Sequence, residues 1–167
     1  MEARQETAAA LSEHVREELD HWIGRFPEGR QRSAVIAGLR AAQHENDGYL
    51  TPELIEAVAE YLDLPSIQVY EIATFYSMFE TRPVGRHSVS VCTNVSCMLR
   101  GAEELVAHIE NKLAIRTGES TPDGRIFLKR EEECLAACCG APMMMVDHRY
   151  FENLTTADVD RILDELE

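Results

Sequence analysis

Basic residues are scarce in this chain. Over 167 residues there are 16 Lys and Arg against 30 Asp and Glu, a formal net charge of −14. Such a surface repels phosphate backbones and anionic lipid headgroups, which argues against nucleic acid and against a charged membrane surface as direct partners. Long apolar runs are also missing, so no stretch has the length needed to cross a bilayer. The segment Met1-Glu2-Ala3-Arg4-Gln5-Glu6-Thr7 has neither the apolar core of a secretory signal nor the acid-poor, Arg-rich character of a transit peptide. It argues for a bacterial-type cytoplasm or an already processed chain, and there a disulfide framework is a poor default for clustered cysteines. No C-x-x-C pair is present, which weakens a thioredoxin-type dithiol, and no glycine-rich fingerprint for nucleotide phosphates is found.

What is present divides into two halves. Leu11, Val15, Leu19, Trp22, Ile23 and Phe26 recur at helical spacing until Pro27-Glu28-Gly29. Ala34, Val35, Leu39 and Ala42 predict a second helix ending near Asn46-Asp47-Gly48. Thr51-Pro52-Glu53 caps a third through Leu54, Ile55, Val58, Tyr61 and Leu62, and Leu64-Pro65-Ser66 opens a fourth through Val69, Tyr70, Ala73 and Phe75. Residues 1–82 are therefore expected to form a helical bundle. Its aromatic residues Trp22, Tyr70, Phe75, Tyr76 and Phe79 are expected to pack inside, the alternative being a docking face for a partner. His14, His21 and His44 sit amid charge and are expected on the surface.

The turn-like segment Thr81-Arg82-Pro83-Val84-Gly85-Arg86 marks the boundary to residues 83–167. Val89 and Val91 alternate with Ser88 and Ser90, as in a half-buried strand that ends on Cys92. Ala102, Leu105, Val106, Ile109 and Leu113 predict a helix, and Thr121-Pro122-Asp123-Gly124 leads to a strand at Arg125 to Lys129. Met143 to Val146 suits a buried strand, turned through Asp147-His148-Arg149 into Tyr150-Phe151. Thr155 and Asp158 match a capping box ahead of Val159, Ile162 and Leu166. The order β-α-β-β-α implies a small two-layer sandwich, and the chain as a whole an α+β class.

All five cysteines fall in two short segments, Val91-Cys92-Thr93-Asn94-Val95-Ser96-Cys97 and Glu133-Cys134-Leu135-Ala136-Ala137-Cys138-Cys139-Gly140-Ala141-Pro142. Cys92 and Cys97 give C-x4-C, and Cys134 and Cys138 give C-x3-C. A pair this close in sequence can chelate one iron, and two pairs can enclose the two irons of a [2Fe-2S] cluster. Small residues at Gly101, Ala136, Ala137, Gly140 and Ala141 would let backbone N–H groups approach the sulfurs, and Pro142 and Met143 to Met145 would shield one side. Glu131 to Glu133 are expected to face away, since acids beside the cluster oppose its reduction. A structural zinc ion with four thiolates remains the alternative, because C-x4-C lies at the edge of zinc spacing. Spacing also leaves Cys138 and Cys139 tied as the partner of Cys134.

The combination of Ala73-Thr74-Phe75-Tyr76, Pro83-Val84-Gly85-Arg86 and the two cysteine segments resembles the thioredoxin-like [2Fe-2S] subunit family of respiratory NADH:quinone oxidoreductase, with relatives in NAD-linked hydrogenases and formate dehydrogenases. The resemblance spans nearly the whole chain. It implies a helical bundle followed by a thioredoxin-like [2Fe-2S] ferredoxin domain, with one cluster on Cys92, Cys97, Cys134 and Cys138 and with Cys139 as a neighbour. Ala136 departs from the glycine usual there. The family further implies a partner flavoprotein that binds NADH and FMN and exchanges single electrons with the cluster, and a place in a complex on the inner face of the membrane. No catalytic residue is expected on this chain itself.

Overall fold

The computed structural model describes residues 11–129 and 134–167, which form two compact units, Met1–Pro83 and Val84–Glu167. The first unit is helical. Helix α1 spans Glu13–Ile23, and the Ser12 hydroxyl opens it by accepting from the Val15 N–H at 3.1 Å. A 3-10 turn at Gln31–Ala34 leads into α2, Val35–Glu45, which ends at Asn46 before Gly48 takes a positive φ of 84°. Helix α3, Pro52–Tyr61, has Thr51 as its cap and proline in its first turn. Helix α4 spans Ser66–Phe75; Pro65 stands at its cap position, and no side chain caps it. The stripes meet in one core that includes Val15, Leu19, Leu39, Ile55, Val58, Leu62 and Val69.

The expected packing of the aromatics needs correction. Phe79 is buried and Tyr76 packs against the core, but Trp22 and Tyr70 are exposed and Phe75 is 79% exposed. In α1 the buried stripe runs Val15, Leu19, Ile23, which turns Trp22 out; its indole N–H donates to Glu18, and Arg25 lies over the ring. Helix α4 is apolar on more than one side, and the core takes its Val69 and Ala73 stripe with Ile72 partly buried beside it. Ile67, Tyr70 and Phe75 are what remains outside. His14, His21 and His44 are exposed as expected.

The second unit carries a four-stranded sheet of order β2-β1-β3-β4, with β1 at His87–Val91, β2 at Ile126–Lys129, β3 at Met144–Val146 and β4 at Arg149–Phe151. Strand β1 pairs parallel with β2 (Val89 opposite Leu128) and antiparallel with β3 (Val91 opposite Met144). Between β1 and β2 lie a short helix α5, Val95–Met98, and α6, Ala102–Leu113; α7, Thr156–Asp164, follows β4. Its capping box is complete, with Thr155 and Asp158 each accepting from the other's backbone. Leu105 and Ile109 of α6 and Val159, Ile162 and Leu163 of α7 share a core with Val89, Val91, Ile126, Leu128, Met144 and Val146.

The sheet departs from the simple alternation expected of it. Ser90, on the opposite side of β1 from Val89, is only 1% exposed, and Phe127 beside Leu128 is buried too. Strands of this parallel pair are buried on both faces, so alternation was the wrong template for them. Two local devices hold the edges. At Gly85 a side chain would fall 2.6–2.9 Å from the Ile126–Phe127 backbone, which makes Pro83-Val84-Gly85-Arg86 a close-packed entry to β1. Asp147 and His148 both take positive φ in the two-residue β3–β4 turn, where Asp147 accepts from the Ser88 N–H at 2.9 Å and meets the His87 ring at 2.6 Å.

Candidate iron-sulfur site

Strand β1 ends at Val91, and the chain turns at Cys92 into the α5 loop; strand β3 begins at Met144, just after the second cysteine segment. Because β1 and β3 are antiparallel neighbours, the exit of one and the entrance of the other lie side by side. The Cys92 N–H donates to the Met143 carbonyl at 3.2 Å and joins the two loops directly. Asn94 caps α5 with its side chain, and the helical turn brings Cys97 back toward Cys92. The second loop closes through a 3-10 turn, Cys138–Gly140, and is anchored from behind by Asn153 N–H on the Gly140 carbonyl (2.7 Å) and Leu154 N–H on that of Pro142 (3.0 Å).

One small open pocket results, lined by Cys92, Asn94, Val95, Ser96, Cys97, Cys134, Ala137 and Cys138. Four of the five cysteines face it, and Cys139 is exposed and outside its wall. Within the pocket Cys134 Sγ lies 3.5 Å from Cys138 Sγ, and Cys92 and Cys97 lie together on the buried side. Among the described residues no three Cys, His, Asp or Glu side chains close around a single point. Cys92 and Cys97 are buried with Ala102, Ala141 and Met143, whereas Cys134 and Cys138 are exposed. Burial pushes the Cys97 thiol up to about 11; its hydrogen bond to Cys92 adds to the rise, and the Met143 backbone amide opposes it. A buried thiol of this kind ionises only beside a strong positive charge, which is what a metal ion supplies.

The small residues have more varied reasons than expected. Ala136 does bring its backbone to a sulfur: its N–H approaches Cys134 Sγ at 3.4 Å, with φ at +63°. Gly101 is needed instead for its positive φ of 89° ahead of α6, since a side chain there would meet little. Gly140 makes room for Glu152, whose atoms lie 2.3–2.5 Å from where a Cβ would sit. Met143 walls the site from behind, while Met144 belongs to the core of the unit. Glu131 to Glu133 lie outside the described residues. Sequence reasoning passed over Asn94, Val95 and Ser96 as pocket wall and Val95, Met98 and Leu99 as an exposed apolar rim. Apolar side chains at i and i+4 around a cysteine, as Val95 and Leu99 are around Cys97, were the available signal.

The left-handed backbone at Ala136 leads to a stability prediction. An alanine there is strained by about 1–2 kcal/mol, part of which glycine returns by its freedom in the unfolded chain. Ala136→Gly is expected to stabilise the second unit by about 0.5–1 kcal/mol, seen as a higher denaturation midpoint with an unchanged m-value.

The α+β sheet with two helices packed on one face, and a four-thiol pocket in place of a C-x-x-C dithiol, define the class: a thioredoxin-like domain with clustered cysteines at one end. A sequence profile of the thioredoxin-like [2Fe-2S] ferredoxins matches residues 19–167, and the chain belongs to that family. Over 150 residues it is 45% identical to the second E-type subunit of the NADH-quinone oxidoreductase of Rhizobium meliloti, covering 90% of this chain and 87% of the relative. It is 40% identical to the E-type subunit of the same enzyme from Rickettsia typhi, with 86% and 84% covered. Among solved structures, a chain of an NAD+-reducing [NiFe]-hydrogenase in the air-oxidized state superposes with a TM-score of 0.66 at 26% identity over 77% of this chain; the match spans 22% of that longer chain. No described helix is long and apolar enough to cross a membrane.

Proposed function

We propose that this protein is an electron-transfer subunit of an NADH:quinone oxidoreductase and carries one [2Fe-2S] cluster on Cys92, Cys97, Cys134 and Cys138. The observation that carries the reading is the pocket itself, which gathers these four thiols, two from the buried Cys92 loop and two from the exposed Cys134 loop, and leaves Cys139 outside. A two-iron cluster takes two thiolates on each iron, whereas a single zinc ion draws four around one point. The identity to the quinone-oxidoreductase relatives is well above that to the hydrogenase chain, which favours the quinone-reducing assembly.

The residues divide the work simply. Cys92 and Cys97 bind from the buried side, where Met143, Ala102 and Ala141 exclude water. Cys134 and Cys138 bind from the exposed side, so electrons pass to a partner across that side. When bound, the cluster supplies a one-electron couple. Val95 and Leu99, 61% and 77% exposed beside the pocket, form an apolar rim suited to a docked protein. That partner is the NADH- and FMN-binding flavoprotein, since this sequence has no phosphate-binding glycine loop of its own. Residues 1–82 act as a helical bundle appended to the cluster domain of residues 83–167, and the assembly lies peripherally on the inner face of the membrane. No residue of this chain acts on a substrate.

Metal and sulfide analysis of protein purified without air tests the reading. The expected result is about two irons and two acid-labile sulfides per chain, with a paramagnetic signal that develops only on one-electron reduction. One zinc and no iron overturns it.

A further inference from the structure

Two polar side chains other than cysteine line the pocket, Asn94 and Ser96. Asn94 is exposed, and its Oδ1 is taken by the Val95 N–H at 3.0 Å. Ser96 is half-buried in α5, next to Cys97, and its hydroxyl makes no hydrogen bond to any described residue. A serine in a helical turn commonly bonds back to a carbonyl three or four residues earlier, here in the Cys92 loop, and Ser96 does not. It presents a free O–H donor at the edge of a site built from sulfur.

The hydrogen bond seen at a thiol comes from the backbone, Ala136 N–H toward Cys134 at 3.4 Å. Reduction adds one negative charge, which spreads over the sulfurs. A donor that points at a sulfur therefore favours the reduced form over the oxidised one. Building on the cluster reading above, we propose that the Ser96 hydroxyl donates to a sulfur of the bound cluster and raises its reduction potential. Ser96 is then a positioning residue for charge and holds no iron. Among the described residues of the pocket wall it is the one half-buried hydroxyl, so its contribution can be removed without altering the backbone.

The test uses the iron-loaded full chain in three forms: unchanged, Ser96→Ala and Ser96→Thr. Each is poised at a series of potentials, the reduced cluster is measured by electron paramagnetic resonance, and iron and sulfide are quantified. Ser96→Ala is expected to keep its full iron and sulfide while the ratio of reduced to oxidised cluster at fixed potential falls about three- to tenfold. For a one-electron couple at 59 mV per tenfold this is about 30–60 mV downward. Ser96→Thr, which keeps the hydroxyl, is expected to stay within about twofold of the unchanged chain on the same scale. A fully loaded Ser96→Ala cluster with an unmoved ratio overturns the proposal, as does loss of iron from that variant, which assigns Ser96 to holding the loop. A Ser96→Thr chain shifted as far as Ser96→Ala also overturns it. Absence of iron from the unchanged chain is a separate failure, that of the cluster reading itself.

Discussion

Serine in place of Cys138 is expected to strip most of the iron and the visible spectrum from the protein, while serine in place of Cys139 leaves both nearly intact. The two residues are neighbours in one 3-10 turn, where consecutive side chains diverge by about a third of a circle. Cys138 consequently faces Cys134 at 3.5 Å within the pocket wall, and Cys139 is turned to solvent. An alkoxide is a harder and more basic ligand than a thiolate, so Cys138→Ser loses at least as much affinity as removal of a supporting contact, about 10–100-fold. Iron per chain and the absorbance of the two variants, prepared side by side, check this. The reverse pattern, with Cys139→Ser colourless and Cys138→Ser loaded, would falsify the ligand set.

Removal of the cluster by acid or a chelator is expected to weaken the second unit and spare the first. The helical unit has its own core, from Val15 and Leu19 through Val69, and contains no cysteine. In the second unit the metal ties the Cys92 loop to the Cys134 loop, and ligand binding to the folded state adds directly to stability. A loss of about 2 kcal/mol would lower the melting temperature of a unit this size by roughly 8–16 °C. Hydrogen exchange followed by mass spectrometry resolves the two: β1 and β3 lose protection, whereas α1 to α4 do not. Trp22, the single tryptophan and a member of α1, gives an independent optical report on the helical unit alone. Equal loss of protection in both units would count against separate cores.

Much of this architecture is legible in the residues, because local chemistry specifies it. Thr51-Pro52 and the Thr155/Asp158 pair announce helix starts by the hydrogen bonds they make, and those bonds are present. The order β-α-β-β-α fixes the hairpin and the parallel crossover. The aromatics of the helical unit were misassigned because hydrophobicity shows what could be buried but not which stripe the neighbouring helices need. Phe75, the most exposed of them, is apolar by composition and outside by geometry. Ser90 erred in the opposite direction: a serine in a strand signals a wet face, and only the assembled sheet shows that this one is covered. At the site, pair spacing singled out the cysteines as candidates but could not say which of Cys138 and Cys139 faces the pocket, since that lies in the rotation of one short turn. Nor could it separate the glycine needed for φ at Gly101 from the one that yields space to Glu152 at Gly140.

The antiparallel register of β1 and β3, with Val91 opposite Met144, also governs the order in which the holoprotein can be built. Each cysteine pair is formed by its own local loop, so a half-site can exist in a nascent or partly folded chain. The full site cannot, because the two half-sites become neighbours only when these strands zip together, which closes the long loop that holds α6 and β2. Loop-closure entropy must be spent before the reward of four-thiolate binding is available. On the proposed cluster reading, biogenesis would follow a sequence of events in which the sheet pairs first and iron binds afterwards. Metal that arrives early meets only a two-armed chelate, from which it can still be withdrawn.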